Sequence, residues 1–267
     1  MWMATLRKDL LMTRVFALVS MGCTAVAGML LVGQAYRSHT LGSSESGLII
    51  MATLLGLEIF YLPTQLVVGI VREWRGTASL WLQSAQSGWA LIASKVVSAC
   101  VWALSLNIVT YVFTLWFYHL ALAHAPLWKS SSWAHWLLEH QFLVGMYILI
   151  GLLWIGLGIG LWLMLISIVM RSVRYKFKGL PWLAAFVVIL IPAWGLQWLQ
   201  DTALYHRIFD FGAFVPPGLD HQAFASAAQM APQPWGVLYG GHLLTDVVVL
   251  ALVFYVSGWL FDKRVEV

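Results

Sequence analysis

The chain has 267 residues, of which 61% are hydrophobic and only 10% are charged. Soluble domains are nearer half apolar and a quarter charged, so this composition excludes a soluble globular protein and indicates a membrane protein. The net charge of +4 at pH 7 is small for a chain of this length.

Six apolar runs are long enough to form transmembrane helices, each of which needs about 20 residues to cross the hydrocarbon layer. The runs cover residues 14–36, 47–71, 94–118, 141–170, 180–199 and 237–260. Because they are continuous, they exclude the alternating strands of a β-barrel. The sequence therefore predicts one all-α transmembrane domain over residues 1–267, with six transmembrane helices.

Ahead of the first run, the stretch MWMATLRKDLLMT places Trp2, Leu6 and Leu10 on one helical face. Arg7 and Lys8 project elsewhere. This pattern is typical of a short helix lying in the membrane interface, and it also fits a plain basic flank before a span.

The basic residues are unequally divided between the two sides that six spans define. With both termini on one side, twelve Lys and Arg lie there, and three (Arg37, Lys129 and Arg207) lie on the other. The positive-inside rule then places both termini in the cytoplasm. The basic charge reflects topology, and no nucleic-acid partner is expected.

Two carboxyl groups lie in the middle of predicted spans, Glu58 in the second and Asp246 in the sixth. Such groups are costly and often functional, so one interpretation is a translocation path that attracts cations or carries protons. The alternative is structural. In the structural interpretation, His242 and Thr245 are the polar neighbours that satisfy Asp246, and Glu58 is protonated or bonded to a neighbouring helix.

Between the second and third runs lies the segment REWRGTASLWLQSAQSGWALIASK, residues 72–95. At about 100° per residue, its first part separates into an apolar face and a polar face. The apolar face holds Trp74, Ala78, Trp81, Leu82 and Ala85, and the polar face holds Arg72, Arg75, Ser79, Gln83 and Gln86. The pattern predicts a helix on the cytoplasmic surface with its tryptophans among the lipid headgroups. Leu80, on the polar side, is either a knob for a partner's pocket or a stray leucine on a connector.

This segment resembles one found in the membrane subunits of ABC-2-type bacterial ABC transporters, particularly export permeases of the Gram-positive kind. In that family a Glu, a basic residue and a Thr are followed by a Leu-Trp-Leu-type run, a Pro-x-Ser-like break and a Lys that starts the third span. The matching residues here are Glu73, Arg75, Thr77, then Leu80-Trp81-Leu82, then Gln86-Ser87-Gly88, and Lys95. Ala85 stands where the family commonly has proline.

The resemblance implies a bacterial plasma-membrane protein with an N-terminal elbow helix, six spans and a long outer loop between the fifth and sixth, here 200–236. It implies that the segment is a coupling helix that contacts a separate ATP-binding subunit. The contacting residues would be Arg72, Glu73, Arg75, Leu80, Gln83 and Gln86. A second permease subunit, identical or related, would complete the path within the membrane lipid. ATP and Mg²⁺ would be bound by the partner, with no cofactor on this chain.

The chain contains no G-x-x-x-x-G-K-[ST] phosphate-binding loop, so it is not expected to be the ATPase itself or another enzyme. Two alternatives stay open. One is a proton-coupled secondary transporter that uses Glu58 and Asp246. The other is a metal- or haem-handling membrane protein that uses outer histidines, although H-x-x-x-E-H at 135–140 is a weak metal signal and no metal site is assigned. Gly156 and Gly160, four residues apart, indicate close helix packing, either within the bundle or between subunits.

Overall fold

The computed structural model describes residues 2–38, 41–76, 87–124, 132–176, 181–214 and 238–265, nearly all of which are helical. The helices are α1 (Trp2–Ser38), α2 (Leu41–Leu57), α3 (Tyr61–Gly76), α4 (Gly88–His124), α5 (Ser132–Glu139), α6 (Gln141–Lys176), α7 (Pro181–Gln200), α8 (Ala203–Phe209) and α9 (Gly240–Val265). A 3₁₀ turn, Glu58–Phe60, joins α2 to α3. The short strands β1 (Ala213–Phe214) and β2 (Leu238–Tyr239) pair antiparallel.

Among these described residues, five helical stretches are long and apolar enough to cross a membrane. They are Trp2–Arg37, Ser44–Arg72, Gly88–His124, Gln141–Val173 and Gly240–Lys263. They coincide with five of the six predicted runs, which confirms a multi-pass, nearly all-helical membrane protein by length and composition. The remaining run, 180–199, coincides with α7. The apolar part of that helix, Phe186–Gln200, is one of the shorter apolar helices of 10–17 residues and is not counted among the five spans.

The predicted interfacial helix at the N-terminus is not a separate element. Helix α1 runs without a break from Trp2 to Ser38, so the residues before the first predicted span continue it. Thr5 and Asp9 are buried, whereas Trp2 is 40% exposed. The buried residues of this segment are therefore polar, and they project beside Trp2 and Leu6 on the helix.

The chain divides into two compact units, Met1–Gln86 with Ala90–Gly160, and Ser87–Trp89 with Leu161–Val267. The first unit contains two apolar cores that hold its helices together. One joins α1, α2 and α4 through Val32, Met51, Phe113 and Phe117. The other joins α3 to α4 through Leu62, Leu66, Ala99 and Ala103, and Leu153 and Leu157 of α6 pack against it.

Helix α6 approaches the beginning of α3 closely through two glycines. Pro63 has no N–H for the carbonyl of Ile59, and the chain takes a 3₁₀ turn immediately before α3. A Cβ on Gly156 would lie 3.2 Å from that carbonyl oxygen, and a Cβ on Gly160 would lie 2.7 Å from Leu66 Cδ1. The glycine pair serves packing within the chain, which confirms the first of its two interpretations.

The second unit contains the described ends of the predicted outer loop 200–236. Thr202 caps α8, because its Oγ1 accepts a hydrogen bond from the Tyr205 N–H at 3.3 Å. The β1–β2 pairing sets Ala213 opposite Tyr239 and so joins the two ends of the loop. Residues 215–237 lie outside the described part of the chain.

Candidate functional site

Glu58 lies in the 3₁₀ turn between α2 and α3 and contacts α4. Its Oε1 accepts a hydrogen bond from the hydroxyl of Thr110, which is fully buried. This is the bond to a neighbouring helix that the structural interpretation predicted.

The second carboxyl oxygen of Glu58 has a different environment. Among the described residues, Glu58 Oε2 and the nearby helix's Asn107 Oδ1 are buried acceptors without a hydrogen-bond partner. A buried polar group without a partner carries a desolvation cost that a proton, a cation or a water would offset. Accepting a proton or a small cation is one chemistry that would satisfy these two acceptors, and a hydrogen bond from water is the other.

Asp246 is exposed, although the face of α9 that carries it is buried further along. At about 100° per residue it projects within roughly 20° of Val253 and Ser257, both of which are buried. The two neighbours predicted to satisfy Asp246, His242 and Thr245, form hydrogen bonds with other groups. His242 Nε2 is 3.0 Å from Asp210 Oδ1, and Thr245 Oγ1 donates to the Gly241 carbonyl.

Glu58 belongs to the first compact unit and Asp246 to the second. Only Glu58 has the structural bond that the sequence predicted for it.

The predicted coupling segment is described at its two ends. Arg72, Glu73 and Arg75 lie in the last turns of α3, and Arg72 is exposed. Leu80, Gln83 and Gln86 lie outside the described residues, as does the rest of 77–86.

At the far end of the segment, Ser87 is non-helical and Gly88 begins α4, so the predicted break at Gln86-Ser87-Gly88 ends where a helix starts. The Gly88 N–H donates to Asp262 Oδ1 at 2.5 Å, and a Cβ on Gly88 would lie 2.6 Å from that oxygen. A carboxylate at this position caps the exposed N–H groups of a helix start and opposes its positive dipole. Any side chain at position 88 would require Asp262 or Phe261 to move.

Sequence reasoning missed a buried ion pair between α1 and α4. Lys95 Nζ lies 3.4 Å from Asp9 Oδ1, and the Ser94 hydroxyl donates to Asp9 Oδ2 at 2.5 Å. Both charged side chains are only 6% exposed. In so little water their attraction is weakly screened, and the serine bond helps to offset the cost of removing the carboxylate from water.

One turn further along the same two helices, Thr13 Oγ1 and Ser98 Oγ lie 3.3 Å apart. Asp9 and Thr13 thus meet Ser94 and Ser98 in the same order, so α1 and α4 run in the same direction. A first and a third span must do so. The available signal was Asp9 itself, because it falls on the same face of the N-terminal segment as Trp2 and Leu6.

The described histidines of the predicted outer side bond to protein groups. The Asp210 carboxyl lies 3.0 Å from His242 Nε2 and 3.1 Å from His206 Nδ1. The hydrogen bond from His242, and after it the one from His206, lowers the pKa of the Asp210 carboxyl. His140 Nδ1 lies 3.0 Å from the Trp136 carbonyl oxygen, and His135 is exposed. Within the described residues no group of three His, Cys, Asp or Glu side chains has an arrangement that would hold a metal ion.

Comparison of the chain with protein-family models, with curated proteins and with solved structures gives no match in any of the three.

Proposed function

We propose that this chain is the membrane subunit of an ATP-driven transporter of the ABC-2 type, most simply an exporter. The observation that carries the proposal is the segment 72–95 between the second and third spans. Its Glu73, Arg75 and Thr77, its Leu-Trp-Leu run and its Lys95 resemble the coupling segment of that family. In this proposal α7 is the fifth of six spans, both termini are cytoplasmic, and the membrane is the bacterial plasma membrane.

The surroundings of the segment support a coupling role. It leaves α3 without a break at Arg72, and its far end is held by the bond from Gly88 to Asp262. Seven residues into α4, Lys95 is held by Asp9 of α1. A displacement of the segment by a partner would therefore be passed to α9 through Asp262 and to α1 through Asp9, by one polar contact each.

The partners follow from the same proposal. A separate ATP-binding subunit would dock on the polar face of the segment and bind ATP and Mg²⁺. A second permease subunit would complete the path. In the described residues Asp246 is exposed on a helix face that is buried further along, at Val253 and Ser257, which fits a carboxylate facing a path or a second subunit.

A pull-down tests the docking. The tagged full-length chain is purified from its native membranes, and co-purifying P-loop ATPases are identified by mass spectrometry. Burying a leucine is worth about 1.5–3 kcal/mol, so Leu80→Asp should weaken the association by well over tenfold. Leu82→Ala, on the predicted membrane-facing side, should do markedly less. No co-purifying ATPase, or no loss in either variant, would refute the proposal, and equal losses would indicate unfolding of the segment.

Cysteine labelling tests the sidedness. In a background with Cys23 and Cys100 replaced by serine, Ser43→Cys should react with an impermeant thiol reagent in intact cells, and Ser84→Cys should not. The reverse pattern would overturn the proposed orientation and, with it, the cytoplasmic position of the coupling segment.

A second candidate function is proton-coupled transport without ATP, and one observation favours it. Glu58 Oε2 and Asn107 Oδ1 are buried acceptors on adjacent helices and have no donor among the described groups. Gradient-driven uptake into vesicles that contain only this chain, lost in Glu58→Gln, would support it. Transport that requires ATP and a partner ATPase would exclude it.

A further inference from the structure

Helices α1, α3 and α4 of the first unit line an open cavity of about 230 Å³. It lies beside the Asp9–Lys95 pair, at the end of the bundle where the span Ser44–Arg72 ends and the spans Trp2–Arg37 and Gly88–His124 begin. A water molecule takes about 30 Å³ in the liquid, so the cavity has room for a molecular group and not only for a water or two. Its position corresponds to the boundary between hydrocarbon and headgroups.

The walls of the cavity divide into an apolar part and a polar part. Met12, Phe16 and Val68 line it and are 45%, 54% and 53% exposed, so the apolar wall opens sideways towards the lipid. The hydroxyls of Thr13 and Ser98 lie on the inner side. A cavity with this arrangement is complementary to an amphipathic molecule that enters from the bilayer.

The charge of the cavity is positive. The Asp9 carboxylate has both oxygens occupied, one by Lys95 and one by Ser94, so the pair is neutral within the wall. Arg72 also lines the cavity, is exposed, and has no hydrogen-bond or ion-pair partner among the side chains that the structure describes. Its planar guanidinium is suited to a phosphate, which it can bind with two parallel hydrogen bonds.

We propose that this cavity binds the phosphate headgroup of an anionic phospholipid. Arg72 holds the phosphate at the rim, and the first part of an acyl chain lies over Met12, Phe16 and Val68. Basic pockets between transmembrane helices near the membrane surface bind such lipids by the same combination of charge and apolar contact. The site does not depend on the proposed ATP-driven function, because all of its groups lie in this chain.

Native mass spectrometry of the full-length chain in detergent tests the charge requirement. Phosphatidylglycerol should stay bound through delipidation, and phosphatidylcholine should bind more weakly. Arg72→Gln should reduce phosphatidylglycerol affinity about fivefold, the factor given by ~1 kcal/mol per basic residue. Arg14→Gln removes the same charge from the exposed side of α1, outside the cavity, and should change the affinity less than twofold. Equal losses in the two variants would mean general electrostatic attraction and would overturn the proposal.

A second pair of variants tests the cavity itself without altering charge. A Cβ on Gly69 would meet nothing closer than Lys95 Cδ at 3.8 Å, so α3 accepts a side chain there that fills the cavity. Gly69→Leu should reduce phosphatidylglycerol binding at least as much as Arg72→Gln. Gly56→Leu, at a position with nothing within 4 Å, should leave it unchanged. Unaltered binding in Gly69→Leu would refute the site.

Competition distinguishes a lipid from a soluble anion. Glycerol phosphate or inorganic phosphate at millimolar concentration should not displace phosphatidylglycerol, because neither has the acyl chain that the apolar wall would contact. Full displacement by either anion would overturn the lipid assignment and identify a site for a soluble phosphate.

Discussion

The buried pair of Asp9 and Lys95 should be worth more to the fold than any exposed charge in the chain. Removing one partner of a buried ion pair leaves the other without compensation and typically costs about 3–5 kcal/mol. The lower end applies here. In Lys95→Met, Ser94 still bonds the Asp9 carboxylate, and in Asp9→Asn, Lys95 still has a contact besides Asp9. Each single change should therefore cost about 3 kcal/mol of unfolding free energy.

The two changes made together should cost no more than either one alone, because the double variant buries no unpaired charge. The coupling energy of the cycle is then about 3 kcal/mol, at the upper end of values for residues in direct contact. Reversible unfolding of the purified chain in mixed detergent micelles, followed by the fluorescence of its 16 tryptophans, measures all four states. Arg14→Gln, an exposed charge on the same helix, should change stability by less than about 0.5 kcal/mol.

Additive costs in the double variant would refute this reasoning, since they would show that Asp9 and Lys95 contribute independently. Single costs below about 1 kcal/mol would refute it as well, because exposed ion pairs fall in that range.

Three further predictions concern packing, a hydrogen bond and pH. Gly160→Ala should cost about 1–3 kcal/mol by crowding α3, whereas Gly151→Ala, at a position with nothing within 4 Å, should not destabilise α6; the same unfolding titration compares them. Thr110→Val should cost about 1 kcal/mol by removing the donor to Glu58, while Glu58→Gln should stay inserted and folded because its amide oxygen still accepts that bond; unchanged stability in Thr110→Val would contradict this. The pKa of Asp210 is lowered from 3.8, so its contribution is complete above that pH and is lost only as pH falls through the lowered value; amide-exchange protection at the start of α9 should fall in that acid range, and Asp210→Asn should abolish the pH step.

The extent of the spans could be read from the sequence because apolar length is a local property. The predicted run 47–71 corresponds to Ser44–Arg72, and 94–118 lies inside Gly88–His124. The difference in the second case has a physical reason. A helix continues into the headgroup layer as long as its residues favour it, so α4 begins at Gly88, where its N–H finds the Asp262 carboxylate.

The partners of the polar groups could not be predicted in the same way. Asp9 and Lys95 are 86 residues apart, and each looks like an ordinary charge flanking a span. Hydropathy counts such residues towards orientation and cannot show that two of them meet. The same holds for His242, which lies four residues from Asp246 in sequence but is bonded to Asp210 in space.

The contact between Gly88 and Asp262 also sets an order of events during biosynthesis. The two residues are 174 positions apart, and at roughly 5–20 residues per second the ribosome would make the carboxylate about 10 to 35 seconds after the glycine. Throughout that interval the third span must insert and keep its position by its own apolar length. Until Asp262 is made, the first N–H of that span lacks the carboxylate that caps it in the folded protein.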